Sequence, residues 1–128
     1  MSFQFKVIDH VQLAAPKEGE ESARYFFTQI LGFKEINKPF QLKKNGGVWF
    51  EKGSIHVHVG IEDPFVPAKK AHPAFEIEDL PSFIEHLEAN SYPYKSDNRL
   101  PGADRIYLAD PFENRIEILE WNGERKPL

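Results

Sequence analysis

The chain has 128 residues, a length that predicts one domain over residues 1–128 with a single hydrophobic core. Its apolar fraction of 41%, of which much is aromatic, is enough for such a core and excludes a disordered chain. The absence of cysteine excludes disulfides, thiolate nucleophiles and cysteine-ligated zinc, so any metal site must use His, Asp or Glu. A net charge of −4 without a long Lys or Arg cluster excludes nucleic acid and anionic membrane as electrostatic partners, and a small molecule is the expected ligand.

The amino-terminal segment gives no indication of export. Residues 1–6 lack the apolar run and the small-residue cleavage site of a signal peptide. No apolar stretch approaches the ~20 residues that a transmembrane helix requires. We therefore expect a cytoplasmic protein.

The first half of the chain is predicted to fold in the order β-α-β-β-β. Alternating apolar and polar residues over 7–15 predict a strand that ends at Pro16. The next apolar residues recur at helical spacing, with acidic residues before them and Gly32 after them as a C-terminal glycine. Three further strands are then predicted, over residues 33–36, 48–51 and 55–61.

The same order of elements restarts after a connector over residues 62–71. Asp79 is the candidate N-cap of a helix whose apolar residues again follow helical spacing. Strands are predicted over residues 73–77, 105–109 and 115–121, with one edge strand inside 90–104. We therefore predict an α+β fold built from two βαβββ modules, at approximately residues 5–62 and 70–121.

Strand parity separates the polar from the apolar side chains of this fold, since successive side chains point to opposite faces. One set is almost wholly apolar and is expected to pack against the helices, which then lie on the outer face of the sheet. If the sheet is curved, the other set lines a concave cavity. That polar set comprises His10, Gln12, His56, His58, His72, Glu76, Arg105, Tyr107 and Glu117.

Four of the five histidines belong to the polar set, and this pattern predicts a metal site. A single strand histidine is more often a hydrogen-bonded or surface residue, so the joint pattern carries the prediction. Imidazoles and a carboxylate suit zinc, nickel, iron(II), cobalt or manganese, whereas calcium prefers oxygen ligands. We expect His10, His72, Glu117 and either His56 or His58 to converge on one divalent ion.

Arg105 and Tyr107 alternate toward the same cavity and, with Gln12, are the candidate substrate-binding residues. A guanidinium at this place recognises a carboxylate or stabilises negative charge that develops near the metal. The alternative is a structural role, in which Arg105 forms a salt bridge with Asp104 or Glu76 and Tyr107 packs in the core.

Three other side chains are given structural roles. Arg115 shares the parity of Glu117 but borders a turn, which favours an ion pair with Glu113. Trp49 and Trp121 are expected in the core or at an interface.

Three sequence segments resemble a known superfamily. The segments are IDHVQL at residues 8–13, AHPAFEI at 71–77 and DPFENRIE at 110–117. In this order they resemble the glyoxalase/bleomycin resistance/extradiol dioxygenase proteins, also called vicinal oxygen chelate proteins, over almost the whole chain. The resemblance implies two βαβββ modules in an eight-stranded, barrel-like sheet around a divalent metal, commonly in a homodimer whose modules are exchanged between chains.

The resemblance also implies roles for individual residues. His10 matches the family's first ligand, His72 the ligand that opens the second module, and Glu117 the carboxylate on the last strand, which is also the candidate catalytic base. Glyoxalase I has Glu or Gln where this chain has His56, which is a departure from the pattern. His58, two residues later with the same parity, is the alternative fourth ligand.

The activity that the resemblance implies is that of a metal-dependent lyase or isomerase of the glyoxalase type. In such an enzyme the metal stabilises an enediolate or alkoxide of a small oxygenated metabolite. The alternatives are a drug-binding protein of the bleomycin resistance type, an iron(II) dioxygenase and a fosfomycin-modifying enzyme. The histidines and Glu117 favour an enzyme, because sequestration of a drug needs no convergent ligands.

Overall fold

Two four-stranded mixed sheets form the framework of the protein, which a computed structural model describes over residues 2–123. The strands of the first sheet are β1 (Val11–Ala15), β2 (Lys34–Ile36), β3 (Val48–Lys52) and β4 (Ile55–Ile61). Those of the second are β5 (Ala74–Glu76), β6 (Lys95–Asp97), β7 (Ala103–Ala109) and β8 (Arg115–Trp121). Their orders are β1-β4-β3-β2 and β5-β8-β7-β6, with β1–β4 and β5–β8 parallel and the other pairs antiparallel. The predicted α+β class with two βαβββ modules is confirmed.

One long helical segment accompanies each sheet. In the first module α1 (Glu20–Arg24) continues as a π-helix over Tyr25–Ile30, and Gly32 follows with a φ of +76°, as predicted for a C-terminal glycine. A 3₁₀ helix over Phe40–Asn45 connects β2 to β3. In the second module Asp79 caps α2 (Leu80–Ala89), as predicted, by accepting a hydrogen bond from the Ser82 amide at 3.1 Å. Among residues 2–123, no helix has the length and the apolar composition needed to cross a lipid bilayer.

The first strand begins later than its sequence predicts. Alternation predicts a strand from residue 7, but β1 begins at Val11, where its pairing with β4 starts. Residues 2–10 belong to no sheet, and four of their apolar side chains are exposed: Phe3 by 63%, Phe5 by 96%, Val7 by 83% and Ile8 by 81%. His10 consequently lies just before β1, and because β5 begins only at Ala74, His72 likewise lies before its strand.

A shared apolar layer joins the two modules. The apolar faces of both sheets and the buried sides of the helices belong to one cluster of packed side chains. Phe33 of the first module meets Phe75 of the second with ring centroids 5.9 Å apart, and Phe27 stacks on Phe50 at 4.9 Å. The apolar set that parity predicts lies in this cluster, so the polar faces of the two sheets point away from it.

A buried asparagine adds polar contacts between the modules. Asn114, which lies in the turn between β7 and β8, is only 1% exposed. Its Nδ2 donates to the carbonyl oxygen of Ala14 in β1 and to the carboxylate of Asp110, both at 2.8 Å. Its Oδ1 accepts from the Ala68 amide at 2.9 Å. One side chain thus connects β1, the connector and the last hairpin.

Candidate functional site

The polar face of the second sheet carries several of the predicted site residues in two adjacent rows. Strand register places Lys95, Tyr107 and Glu117 side by side on β6, β7 and β8. Asp97 and Arg105 are paired in the next row. Because residues two apart on a strand share a face, all five side chains lie on the same side of the sheet.

The structure brings His72 and Glu117 into contact. His72 Nε2 lies 3.0 Å from Glu117 Oε1, and Glu117 is 6% exposed. His72 Nδ1 donates to the Lys70 carbonyl oxygen at 2.8 Å, because a carbonyl oxygen can only accept. A neutral His72 therefore directs its Nε2 lone pair at a carboxylate oxygen, and this contact is favourable only with a cation, either a proton or a metal ion.

The separation of these two atoms fits a divalent ion. Neighbouring ligands of an octahedral metal, each about 2.1 Å from the ion, lie about 3.0 Å from each other. The anchored Nδ1 is also typical of metal-binding histidines, since it fixes the tautomer and the ring orientation. His72 and Glu117, named here the carboxylate half-site, therefore have the spacing of two neighbouring ligands and could hold a divalent ion between them.

Arg105 lies between two carboxylates on this face. Its Nη1 is 3.4 Å from Glu117 Oε2, and its Nη2 is 3.4 Å from Asp97 Oδ1. The alternative pairing of Arg105 with Asp104 or Glu76 is wrong, because β6 supplies Asp97 directly opposite it. The guanidinium thus contacts the Glu117 oxygen that the imidazole leaves open.

Asp97 is a site residue that sequence reasoning missed. The sequence predicts an edge strand only within residues 90–104 and does not fix its bounds, so parity assigns no face to its members. Hydrogen bonds from Arg99, aided by the charge of Arg105, hold the pKa of the Asp97 carboxyl well below its usual range. Asp97 is therefore an anion at neutral pH and balances the positive charge of the partly buried Arg105 guanidinium.

Tyr107 lies among cationic side chains. The guanidinium carbon of Arg115 is 4.1 Å from the centre of the Tyr107 ring, and that of Arg105 is 5.3 Å from it. The predicted ion pair of Arg115 with Glu113 is wrong, since Glu113 instead lies 4.0 Å from Lys69. Arg115 points over the sheet because it is a diagonal neighbour of Tyr107 across β7 and β8.

An open groove beside this half-site is positively charged. Lys95, Tyr107 and Arg115 line it together with Arg99. Arg99 is paired with Asp97, but within residues 2–123 neither Lys95 nor Arg115 has an ion-pair partner. Such a groove attracts an anionic ligand.

The polar face of the first sheet holds the other three histidines of the predicted polar set, His10, His56 and His58. His58 on β4 lies opposite Trp49 on β3, and their rings stack with centroids 3.8 Å apart and planes within 3°. The His10 ring covers the other face of His58 at 4.0 Å and 17°. His56 lies two residues earlier on β4, with Nδ1 4.0 Å from a carboxylate oxygen of Glu51. We name His10, His56 and His58 the histidine half-site.

His10, like His72, has its Nδ1 hydrogen-bonded to an oxygen. Its Nδ1 is 3.0 Å from Asp9 Oδ2, and this hydrogen bond lowers the pKa of the Asp9 carboxyl. Since a carboxylate only accepts, Nδ1 donates and Nε2 keeps its lone pair. Burial lowers the pKa of the His58 imidazole, and the neighbouring His10 lowers it further.

Gln12 faces the same side as these histidines. A depression of about 570 Å³ is lined there by Asp9, His10, Gln12, Ile36, Leu42, Trp49, His56 and His58. Gly60 leaves space for the Gln12 amide, because a Cβ at residue 60 would lie 2.4 Å from Gln12 Nε2. The predicted position of Gln12 beside the candidate ligands is thus observed.

The two half-sites are not joined within one chain. Across the part of the chain that the structure describes, no three metal-binding side chains form a group. The single cluster that parity predicts is therefore divided between two separate sheets, which contact each other through their apolar sides. Parity identifies the correct faces but contains no information on how two sheets are placed.

Comparison with known proteins identifies relatives over almost the entire chain. The family model described as Glyoxalase/Bleomycin resistance protein/Dioxygenase superfamily matches residues 7–118. A solved structure of a glyoxalase family protein from Bacillus anthracis is 44% identical, with a TM-score of 0.92, and the match covers 94% of this chain and 99% of that chain. No curated protein matches the sequence.

More distant solved structures share the fold. A variant of the fosfomycin resistance protein FosX from Listeria monocytogenes, in complex with Mn(II) and 1S,2S-dihydroxypropylphosphonic acid, is 20% identical. Its TM-score is 0.73, with 90% of this chain and 92% of that chain covered. Lactoylglutathione lyase from Agrobacterium tumefaciens is also 20% identical, with a TM-score of 0.64 and coverage of 86% and 91%.

Proposed function

The chain belongs to the glyoxalase/bleomycin resistance protein/dioxygenase superfamily, and from this premise we propose that it is a metal-dependent lyase or isomerase of the glyoxalase type. The observation that carries the proposal is the contact of His72 Nε2 with Glu117 Oε1 at 3.0 Å, two atoms that require a cation between them. A zinc, nickel, iron(II), cobalt or manganese ion bound there would polarise the substrate oxygens and stabilise an enediolate or alkoxide.

A second copy of the chain is proposed to complete the site. The outer strands β1 and β5 each have a partner on one side only within their sheets. The apolar segment before β1 exposes Phe5, Val7 and Ile8, and unpaired apolar edges of this kind favour association. A symmetric homodimer that joins β1 of one copy to β5 of the other would place the histidine half-site of one beside the carboxylate half-site of the other.

Glu117 is the proposed catalytic base. Its carboxylate is buried, and Arg105 holds the oxygen that His72 does not contact. Arg105 is itself held by Asp97, so the carboxylate keeps one orientation toward the open side of the sheet. In this position Glu117 would take a proton from the substrate carbon next to the carbonyl, which gives the enediolate, and would then deliver that proton to the neighbouring enediolate carbon.

The substrate is proposed to be an anion. Lys95 and Arg115 flank Tyr107 on the face that carries Glu117, and both cations lack an ion-pair partner among the described residues. A carboxylate or phosphonate in this groove would accept hydrogen bonds from Lys95 and Arg115 and from the Tyr107 hydroxyl. Gln12 of the other half-site would contact the opposite end of the substrate.

The same cations favour a second candidate function, the opening of a phosphonate epoxide as in fosfomycin modification. Lys95 and Arg115 could bind the two negative charges of a phosphonate, and Glu117 would then lie beside the carbon that reacts. The FosX relative contains a dihydroxypropylphosphonic acid together with Mn(II). The two candidates share the metal site and differ in the substrate.

Metal analysis of protein purified without a histidine tag tests the metal site. We expect the wild type to bind about one divalent ion per chain, and His72→Ala to lose at least about tenfold in affinity. His86→Gln is the matched control, because it removes a histidine that lies in α2, where its ring nitrogens contact the Gln29 and Ile30 carbonyl oxygens and Asn90 and its ring lies beside Phe83. Wild-type protein that binds no metal but binds an aromatic drug tightly would contradict the proposal and support sequestration.

A substrate panel separates the two candidate activities. The metal-loaded protein is assayed with hemithioacetals, methylmalonyl-type thioesters, catechols and fosfomycin. Turnover of a hemithioacetal or thioester supports the glyoxalase type, whereas turnover of fosfomycin alone supports the second candidate. Arg115→Ala is expected to raise KM for an anionic substrate at least about tenfold, since a hydrogen bond to a charged group contributes ~1.5–3 kcal/mol.

A further inference from the structure

His58 lies between two other rings, and this arrangement is incompatible with its role as the fourth metal ligand beside His10. The Trp49 indole covers one face of the imidazole at 3.8 Å, and the His10 ring covers the other at 4.0 Å. We propose that His58, supported by Trp49, is a positioning residue that sets the ring plane of His10 and is not itself a metal ligand. This inference rests on the proposed metal site.

The stacked geometry excludes joint coordination of one ion by His10 and His58. A metal ion binds imidazole in the plane of the ring, on the axis of the nitrogen lone pair. The two ring planes are inclined by only 17°. The distance from the centre of the ring to a bound ion is the ring radius plus a metal–nitrogen bond of ~2 Å. Over this distance the tilt brings the two planes closer by only about 1 Å. An ion in the plane of His10 therefore stays well outside the plane of His58.

His10 needs an external support that His58 can provide. It precedes β1 in a segment without regular structure, and its side chain is 39% exposed. His58 and Trp49, by contrast, are register partners in the middle of the β3–β4 pair, and His58 is buried. Asp9 fixes His10 at Nδ1, while the stack on His58 fixes the rotation of its ring. A rigid pair of strands thus orients a ligand that its own chain segment leaves loosely held.

This assignment changes the ligand set expected of the histidine half-site. His56 becomes the remaining protein candidate for the fourth position, since it shares the face of His58 but is not stacked in the Trp49–His58–His10 column. If His56 is not a ligand either, that position is left to water or substrate.

Two substitutions of His58 distinguish support from coordination. Co(II) is titrated into the full-length protein and followed by its visible absorption, which reports both affinity and coordination. His58→Phe keeps a flat ring in the stack but has no nitrogen, so we expect Co(II) affinity within about threefold of wild type and an unchanged spectrum. His58→Ala removes the ring and is expected to weaken Co(II) binding by about 10–100-fold, the range typical of groups that orient a ligand.

Trp49 offers a second route to the same test if His58→Ala does not fold. Trp49→Leu is expected to weaken Co(II) binding in the same direction, and Trp49→Phe to restore it. Circular dichroism and a thermal melt establish that each variant is folded before it is titrated.

The outcomes separate this inference from the proposed function. If His58→Phe loses Co(II) as completely as His72→Ala, His58 coordinates the metal and the inference is wrong. If His58→Ala or Trp49→Leu binds Co(II) like the wild type, the stack positions nothing and the inference is also wrong. Failure of the wild type to bind Co(II), or undiminished binding by His72→Ala, would instead refute the metal site itself and this inference with it.

Discussion

At the scale of single residues, the hydrogen bonds of each side chain determine which of its atoms remain available to a cation. His10 and His72 both donate from Nδ1 to an oxygen, so both keep Nε2 for a cation. Arg105 occupies the second oxygen of Glu117, which leaves the first for the imidazole or a metal. With different hydrogen bonds the same side chains would not leave these nitrogen and oxygen atoms open to a cation.

The low pKa of Asp97 predicts an acid-dependent part of the stability. Hydrogen bonds from Arg99 and the charge of Arg105 place the pKa of Asp97 below its usual 3.8. Because the folded-state pKa is the lower one, the ionised carboxylate stabilises the fold above pH ~4, and this contribution is lost as the pH falls further. We expect the free energy of unfolding, measured in urea, to fall less between pH 7 and pH 3 for Asp97→Asn than for the wild type.

The control for this prediction is Asp104→Asn, which changes an exposed carboxylate on the adjacent strand. The free energy of unfolding of this variant should fall between pH 7 and pH 3 by as much as that of the wild type. Equal losses for the wild type and Asp97→Asn would contradict the assigned role of Asp97.

At the scale of elements, sequence patterns predict the strands well where each strand has a partner. The hairpin of β7 and β8 lies within two residues of its predicted bounds, because alternation on both strands and the turn between them agree. Residues 7–10 alternate as well but remain outside β1, since a strand also needs a neighbour to accept its hydrogen bonds. The apolar spacing of the first helix does not separate an α-helix from the π-helix over Tyr25–Ile30.

The β3–β4 pair depends on a glycine at its entry. Gly47 has a φ of +88°, and a Cβ at this residue would lie 2.2 Å from the Val59 carbonyl oxygen. We expect Gly47→Ala to lower the free energy of unfolding by at least about 2 kcal/mol, because backbone strain and a steric clash act together. Urea denaturation measures this change.

Gly53→Ala is the matched control for Gly47→Ala. Gly53 also has a positive φ, of +58°, but nothing lies within 4 Å of an added Cβ. Gly53→Ala should therefore lower the free energy of unfolding by only the ~1 kcal/mol expected from the backbone conformation alone. Similar losses for the two variants would show that the contact with Val59 is unimportant.

At the scale of the whole molecule, two modules share one apolar layer and present their polar faces away from it. Strand parity could predict the faces that carry His10, His72 and Glu117, because parity depends on local sequence alone. It could not predict that these faces lie on separate sheets, nor the Trp49–His58 stack, because both depend on the packing of distant segments. The arrangement of the modules therefore decides where a complete site can form.

Substitution of Asn114 tests the contribution of its hydrogen bonds between the modules to stability. Asn114→Ala leaves the partly buried Ala14 carbonyl and Ala68 amide without these hydrogen bonds. Each unsatisfied group costs ~1–3 kcal/mol, so for the two groups we expect a total loss of about 2–6 kcal/mol in the free energy of unfolding. Asn98→Ala, at an exposed position, should change stability by less than about 0.5 kcal/mol. A similarly small effect of Asn114→Ala would contradict a structural role for this side chain.

Metal binding by a mixture of His10→Ala and His72→Ala chains tests most directly whether the site is assembled from two copies. Each variant alone should fail to bind Co(II) with wild-type affinity. After unfolding and refolding together, half of the dimers contain one chain of each kind, and each mixed dimer has one intact site of two, so about a quarter of the wild-type Co(II) content should return. If mixing restores no binding while the wild type recovers it after the same treatment, the two half-sites do not combine across chains and the proposed composite site is wrong.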